Sequence, residues 1–185
     1  MLEIFIKHVK KSSKAIVVAN WYLHPDGFAF RIPDGLSLAK ERRSLSSLFD
    51  TQRTVSFVDP LLEDAPFQTL LTVSIANEDK QLHTMKRTDA DRFFANQFEQ
   101  FSLLDFSHIL IAGEEGIYLT FLTGKTPRLH LQQCMFVKNG QTYIATMASE
   151  NRIFRLAPAA EQFNAFLDTL FFADISDTVK GSQNK

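Results

Sequence analysis

Gly124-Lys125-Thr126 ends like a phosphate-binding loop, in which glycine amides cradle a phosphate and the lysine reaches it. The pattern needs a second glycine five residues before Gly124. Leu119 stands there, inside an apolar strand, and Pro127 follows where a helix should begin. Nucleotide binding is therefore not expected. Cys134 and His130 bring a thiol and an imidazole within four residues of each other. Along a strand that spacing is roughly 13 Å, too far for proton transfer. The plainer expectation is a small buried thiol beside a surface histidine. His8, His24, His83 and His108 are scattered, with no i/i+4 or His-x-His pairing to hold a metal.

The remaining polar groups have simpler uses. Glu63-Asp64, Asp89/Asp91 and Glu114-Glu115 fall in turns or at a helix start, where capping and solvation account for them. Trp21-Tyr22 could stack on bases, but no basic residues interleave with them on one face. No nucleophile, base and orienting group assemble, so the reading is a protein that is not an enzyme and carries neither cofactor nor metal. Gln132 and Gln133 are adjacent and must point to opposite faces of one strand, where a central amide needs partners. Either each bonds a neighbouring side chain or water, or Gln132 offers its hydrogen bonds to a bound segment.

Composition sets the frame for these residues. A chain of 185 residues should bury roughly 70% of its extended-chain surface as one domain. Eighteen phenylalanines supply large apolar area per side chain. A formal net charge of −1 gives no electrostatic reason to expect nucleic acid. One cysteine excludes an intrachain disulfide or multi-cysteine zinc site and suits a reducing cytosol. Lys7, Lys10, Lys11 and Lys14 precede the apolar run Ala15–Ala19, but five residues are short of the about 7–15 that a secretory signal needs. No stretch reaches the ~18–20 apolar residues that span a bilayer, so stable membrane insertion is not expected. Leu2–Ile6 and Ala15–Ala19 read instead as two short strands joined by a solvated turn.

The elements follow from punctuation and periodicity. Pro25–Gly27 and Pro33–Gly35 bracket a strand over Phe28–Ile32. Lys40–Asp50 suits a short helix or a loop, and Asp59–Pro66 is a connection. Thr88 to Asp91 resembles a capping box opening a helix whose stripe is Ala90, Phe94, Phe98 and Phe101. Gly113-Glu114-Glu115-Gly116 reads as a glycine-flanked turn between strands. Lys138-Asn139-Gly140-Gln141 predicts a type I′ hairpin that pairs Phe136 with Tyr143, Cys134 with Ala145 and Gln132 with Met147. A second helix follows Pro158, its buried stripe being Phe163, Phe166, Leu167 and Leu170. The domain is expected over 1–175, with 1–24 as an N-terminal strand or hairpin arm and 176–185 as a flexible tail.

Five strand segments, Thr54–Val58, Leu70–Ile75, Ile117–Thr123, Leu129–Val137 and Thr142–Ala148, contain no Lys, Arg, Asp or Glu in their interiors, although 22% of the chain is charged. Period-two alternation divides the first four into two sets. Val55, Phe57, Leu71, Val73, Ile75, Ile117, Leu119, Phe121, Leu129, Leu131, Met135 and Val137 read as core. Thr54, Ser56, Thr72, Ser74, Tyr118, Thr120, Leu122, His130, Gln132, Cys134 and Phe136 read as an uncharged second face. Two helices about 10 Å wide cover roughly four strands spaced 4.8 Å apart. They are expected together on the apolar face. The fold class expected is α+β, an antiparallel sheet of five or more strands with two main helices on one face. The second face is left for the N-terminal arm, a symmetry mate or a client.

The order of elements, with Glu115-Gly116-Ile117-Tyr118-Leu119-Thr120-Phe121, Leu131-Gln132-Gln133-Cys134-Met135-Phe136-Val137 and Tyr143-Ile144-Ala145-Thr146-Met147-Ala148, resembles the PsbP/DcrB-like α/β sandwich over Phe67–Phe172. Glutamines before an apolar strand look like the Eag-type chaperones of bacterial type VI secretion effectors. That resemblance implies a cytoplasmic homodimer that cradles apolar segments of an effector on a sheet surface. It puts that role on Gln132, with Tyr118, Leu122 and Phe136 as apolar neighbours, and the uncharged face adds Cys134 to these client or dimer contacts. The functional expectation is a non-enzymatic protein-binding or chaperone-type protein, an adaptor for a secreted effector. The alternative is a structural or assembly subunit that uses the open face only for homodimerisation.

Overall fold

The structure is a computed structural model, which describes residues 15–39, 51–62, 67–77, 82–151 and 159–172. The expected Leu2–Ile6 strand, the Lys40–Asp50 segment, Glu63-Asp64, Pro158 and the 176–185 tail lie outside them. The chain divides into two compact units, Met1–Pro33 with Asn164–Lys185, and Asp34–Phe163.

In the first unit, strands β1 (Ile16–Val18), β2 (Trp21–Leu23), β3 (Phe28–Arg31) and β11 (Phe171–Phe172) form a sheet in the order β1-β2-β3-β11. Aromatic rings fill it. Tyr22 and Phe30 lie 5.2 Å apart, His24 stacks on Phe28 at 4.5 Å, and Phe166 meets Phe30 edge-on at 4.8 Å. Tyr22 is 3% exposed, and half-buried Trp21 stands edge-on to Phe171. This pair belongs to the packing, not to a base-stacking platform.

The second unit is built on a seven-stranded antiparallel sheet, ordered β4-β5-β6-β10-β9-β8-β7. Its strands are β4 (Ser37–Leu38), β5 (Thr51–Val58), β6 (Leu70–Asn77), β7 (Ser102–Ile111), β8 (Glu114–Thr123), β9 (Leu129–Lys138) and β10 (Gln141–Glu150). The β9–β10 hairpin has the expected register, with Phe136 opposite Tyr143, Cys134 opposite Ala145 and Gln132 opposite Met147. Asn139 and Gly140 take φ of 52° and 71°, as a type I′ turn requires.

The β7–β8 turn sits earlier than expected, at Ala112 and Gly113 with φ of 51° and 84°. Glu114, Glu115 and Gly116 are strand residues. Gly116 is there for closeness. A Cβ on it would lie 2.6 Å from the Met135 carbonyl oxygen and 2.8 Å from the Phe136 Cβ.

Helix α1 (Arg87–Ala95) also starts earlier than the Thr88–Asp91 box suggested. Its N-cap is Lys86, whose backbone N–H donates to the Asp89 carboxylate at 3.3 Å. Thr88 lies inside the first turn, and Asp89, not Asp91, supplies the reaching carboxylate. Ala90 and Phe94 are buried, and Phe98 and Phe101 continue their stripe beyond the helix end. Phe94, Phe98 and Phe101 surround Phe121 at 5.7, 5.0 and 5.2 Å. The second helix, α2, spans Ala159–Thr169. Phe163, Phe166 and Leu170 of its expected stripe are buried, and Leu167 is half-buried.

The α+β sandwich class is as expected, but the helices divide between the sheet's faces. Stripe residues of α1 pack with Ile117, Leu119, Phe121, Leu131 and Met135. The Phe163 ring lies 6.2 Å from Tyr118, whose side chain points the opposite way from those of its neighbours Ile117 and Leu119. A seven-stranded sheet has two large faces to cover, and Phe163 meets one while the α1 stripe meets the other.

Register also rearranges the two side-chain sets. Thr54 pairs with Ser74, Ser74 with Ile144, Ile144 with Met135 and Met135 with Ile117. Directly opposed residues share a face, so these five lie on one side. Thr54, Ser56, Thr72 and Ser74 therefore share a face with Ile117, Leu119 and Phe121. Val55, Phe57, Leu71, Val73 and Ile75 share the other with Tyr118, Gln132, Cys134 and Phe136. Each face is apolar on one half, and the stripe changes sides across β10. The Ser/Thr half is packed as well. Ser56, Thr72 and Ser74 are 3%, 4% and 1% exposed, and the Thr54 and Ser74 hydroxyls are 3.0 Å apart.

Candidate functional site: the margin of the sheet

The five residues expected to meet a client do lie on one face of β8 and β9, which pair in register Tyr118↔Cys134, Gly116↔Phe136, Thr120↔Gln132 and Leu122↔His130. The structure divides them by exposure. Cys134 is 0% exposed, Phe136 1% and Gln132 4%, so these three are enclosed. Tyr118 and Leu122 are half-buried. The face expected to be open is thus closed at its centre and open along one margin.

Each enclosed side chain has a local role. Phe136 stacks on Tyr143 at 5.4 Å, the pair fixed by the hairpin register. Burial pushes the Cys134 thiol up to about 12, so near neutrality it is a protonated thiol and not a nucleophile. His130 is half-buried, not a surface residue. Gln132 donates from Nε2 to the Tyr118 hydroxyl oxygen at 2.6 Å, and Gln133, on the opposite face, donates to the Thr146 hydroxyl oxygen at 3.1 Å. Both glutamines thus take the intramolecular option, each bond contributing about 0.5–1.5 kcal/mol. Burial raises the Tyr118 phenol above its ordinary range, against the opposing pull of the Gln132 bond.

Strand β8 shows how sharply the margin is drawn. From Ile117 to Thr123 its residues alternate between buried and half-buried, with Tyr118, Thr120 and Leu122 as the half-buried set. On the neighbouring strand, Ser107 pairs with Tyr118 and Ile109 with Gly116, so Ser107 and Ile109 extend this face and are also half-buried. Asp105, opposite Thr120, is exposed on this face, and at the other end of β8 Glu114 pairs with Lys138 at 2.6 Å on the same face.

Strand β7 is the part of the site that the sequence reading does not assign. Its signal lies in Phe106, His108 and Leu110, which alternate with Ser107 and Ile109. They share the face of α1, as their pairing with Leu119, Ile117 and Glu115 shows. Strand β7 is an edge strand, with no neighbour on its far side among the described residues. Leu104 is 46% exposed on it and Leu110 75%.

The other candidate chemistries dissolve in the structure. Gly124-Lys125-Thr126 lies between two strands, with Lys125 3.4 Å from Glu99. Among the described residues, no three His, Cys, Asp or Glu side chains gather as a metal site. Nor, among them, is any helix long and apolar enough to cross a membrane.

No protein-family model and no curated protein matches the chain. Solved structures do. The solution structure of cyanobacterial PsbP (CyanoP) from Synechocystis sp. PCC 6803 superposes with a TM-score of 0.58 at 15% identity, over 86% of this chain and 92% of that one. The fold is PsbP-like. LpqN of Mycobacterium tuberculosis, described as involved in cell envelope biogenesis, shares it with a TM-score of 0.55 at 11% identity, over 87% and 90% of the two chains. PA94 of Pseudomonas aeruginosa, described as of unknown function, is 18% identical over 71% of this chain and 95% of that one, with a TM-score of 0.47. At these identities the likeness carries the PsbP-like architecture and leaves function to the site.

Proposed function

We propose that this chain is a non-enzymatic protein-binding protein of the chaperone or adaptor type. It holds an apolar segment of a client along the β7–β8 margin of its PsbP-like sheet. The observation that carries this reading is the half-open row Ser107, Ile109, Tyr118, Thr120 and Leu122, continuous across two strands, with Asp105 as a charge at its edge. Leu122 and Ile109 offer apolar area, worth roughly 25 cal/mol per Å² once covered. The hydroxyls of Thr120 and Tyr118 can meet polar groups that an apolar segment cannot satisfy alone. The resemblance to Eag-type chaperones supports a secreted effector with apolar segments as the client and the cytoplasm as the place of binding. Gln132, Cys134 and Phe136 then support the margin from beneath. Their enclosure disfavours the alternative, a subunit that dimerises through this face alone.

A charge in the row tests the reading. Leu122→Lys should weaken client binding by about 2 kcal/mol or more through desolvation. Being half-buried, it should change folding stability by less than about 1 kcal/mol. Pull-downs from native lysate with wild type, Leu122→Lys and the control Leu61→Lys provide the comparison, since Leu61 is 89% exposed elsewhere. Proteins lost only with Leu122→Lys are the expected result. Identical recovery with all three would place the client off this margin.

A further inference from the structure

We propose that β7 is a self-pairing edge, joining a second copy of this chain in antiparallel register about a two-fold axis through His108. The two-residue turn at Ala112-Gly113 makes Ile111 and Glu114 a hydrogen-bonded pair, and alternation makes Ile109 and Ser107 the next two. Phe106, His108 and Leu110 therefore direct their backbone N–H and C=O groups away from β8. Among the described residues, no backbone hydrogen bond reaches those groups from outside the ladder.

The reach of this edge is bounded at both ends. The turn at Ala112-Gly113 ends it on one side. On the other, the ladder shifts register between Leu103 and Asp105, and the Arg87 guanidinium donates to the Leu103 and Leu104 carbonyls at 3.4 and 3.2 Å. What remains is Phe106-Ser107-His108-Ile109-Leu110, without Asp, Glu, Lys or Arg.

That segment is complementary to itself when reversed. Pairing about His108 sets Phe106 against Leu110 of the partner subunit, and Leu110 against Phe106 of the partner subunit. All three outward backbone pairs then exchange two hydrogen bonds each. Leu110, three-quarters exposed in the single chain, gains an apolar neighbour, and symmetry makes the gain twice. Self-pairing is independent of client binding, because it uses the outer edge and the α1 side of β7, where the client row uses the other face.

Sedimentation or light scattering across a concentration series, joined to site-directed cross-linking, tests it. Wild type should be a dimer that dissociates on dilution. Leu110→Lys should weaken it at least about 10-fold, since each dimer would desolvate two ammonium groups against Phe106 of the partner subunit, even with Glu115 opposite each lysine. His108→Cys should form a disulfide-linked dimer under mild oxidation, because hydrogen-bonded Cα pairs stand about 5.5 Å apart, within disulfide range. Cys134 is fully buried and should not compete. Leu61→Cys, on an exposed site elsewhere, should not link. A wild-type monomer at about 1 mM, where association weaker than about 4 kcal/mol would not register, would overturn the proposal. So would a dimer that persists in Leu110→Lys while His108→Cys forms no disulfide link. A monomer that accepts a foreign extended peptide at β7 in place of its own copy would overturn it too.

Discussion

Phe121→Ala should lower the free energy of unfolding by about 3–5 kcal/mol, read as a shift in denaturant midpoint at constant slope. Phe121 is 0% exposed, and Phe94, Phe98 and Phe101 ring it at 5.7, 5.0 and 5.2 Å. Its removal leaves a cavity whose walls come from a strand and from the stripe that begins on α1. Such walls collapse poorly, because each is held by its own backbone bonds. The result bears on fold as well as stability. A loss under about 1 kcal/mol would mean that α1 does not dock on the Ile117, Leu119 and Phe121 side of the sheet.

Gly116→Val should cost about 3 kcal/mol, at the upper end of overpacking effects. Two of the atoms nearest a new Cβ are backbone or the root of a side chain: the Met135 carbonyl oxygen and the Phe136 Cβ. Neither can swing aside, so β8 would have to part from β9 or bend. The third contact, Ile111 Cδ1 at 3.0 Å, can yield by rotation. Gly116→Ala should therefore fall between wild type and Gly116→Val in thermal midpoint. Wild-type midpoints for both variants would mean that β8 and β9 are less closely apposed than this.

How much of this is legible in the sequence depends on the distance over which each feature is determined. The β9–β10 register follows from Asn139 and Gly140 alone, because positive φ at two adjacent residues fixes the turn and the turn fixes the pairing. The start of α1 is less legible. A hydroxyl at Thr88 looks like the cap, whereas the Asp89 carboxylate caps from within the first turn, behind Lys86. Gly116 reads as a turn residue, when its use is close approach between strands. Such closeness appears only once β9 is in place.

The faces of the sheet illustrate the limit best. Alternation within β5 or β8 is visible in either segment. Which set of β5 joins which set of β8 depends on four strand pairings: β6 with β10, and with it β5 with β6, β9 with β10 and β8 with β9. The first is fixed by chain folding between segments far apart in sequence, not by any turn signal. Sorting side chains by polarity alone therefore joins Ser74 to Tyr118, whereas register joins Ser74 to Ile117. The candidate site is legible in the same measure. Tyr118 and Leu122 are found on the margin, but the covers over Gln132, Cys134 and Phe136 cannot be read from their own strand. One of the contributors to this face, Phe163 against Tyr118, comes from a helix far along the chain.

Backbone amide NMR of the 21.1 kDa chain, titrated with a soluble model helix, decides whether the β7–β8 margin holds apolar segments. The probe is a segment of about 20 Leu and Ala residues flanked by lysines, matching the length of an apolar membrane span. Saturable shifts are expected at Ser107, Ile109, Tyr118, Thr120 and Leu122, and their loss in Leu122→Lys. Shifts confined to Val17 and Leu61, or none up to about 1 mM probe, where binding would be weaker than about 4 kcal/mol, would contradict it.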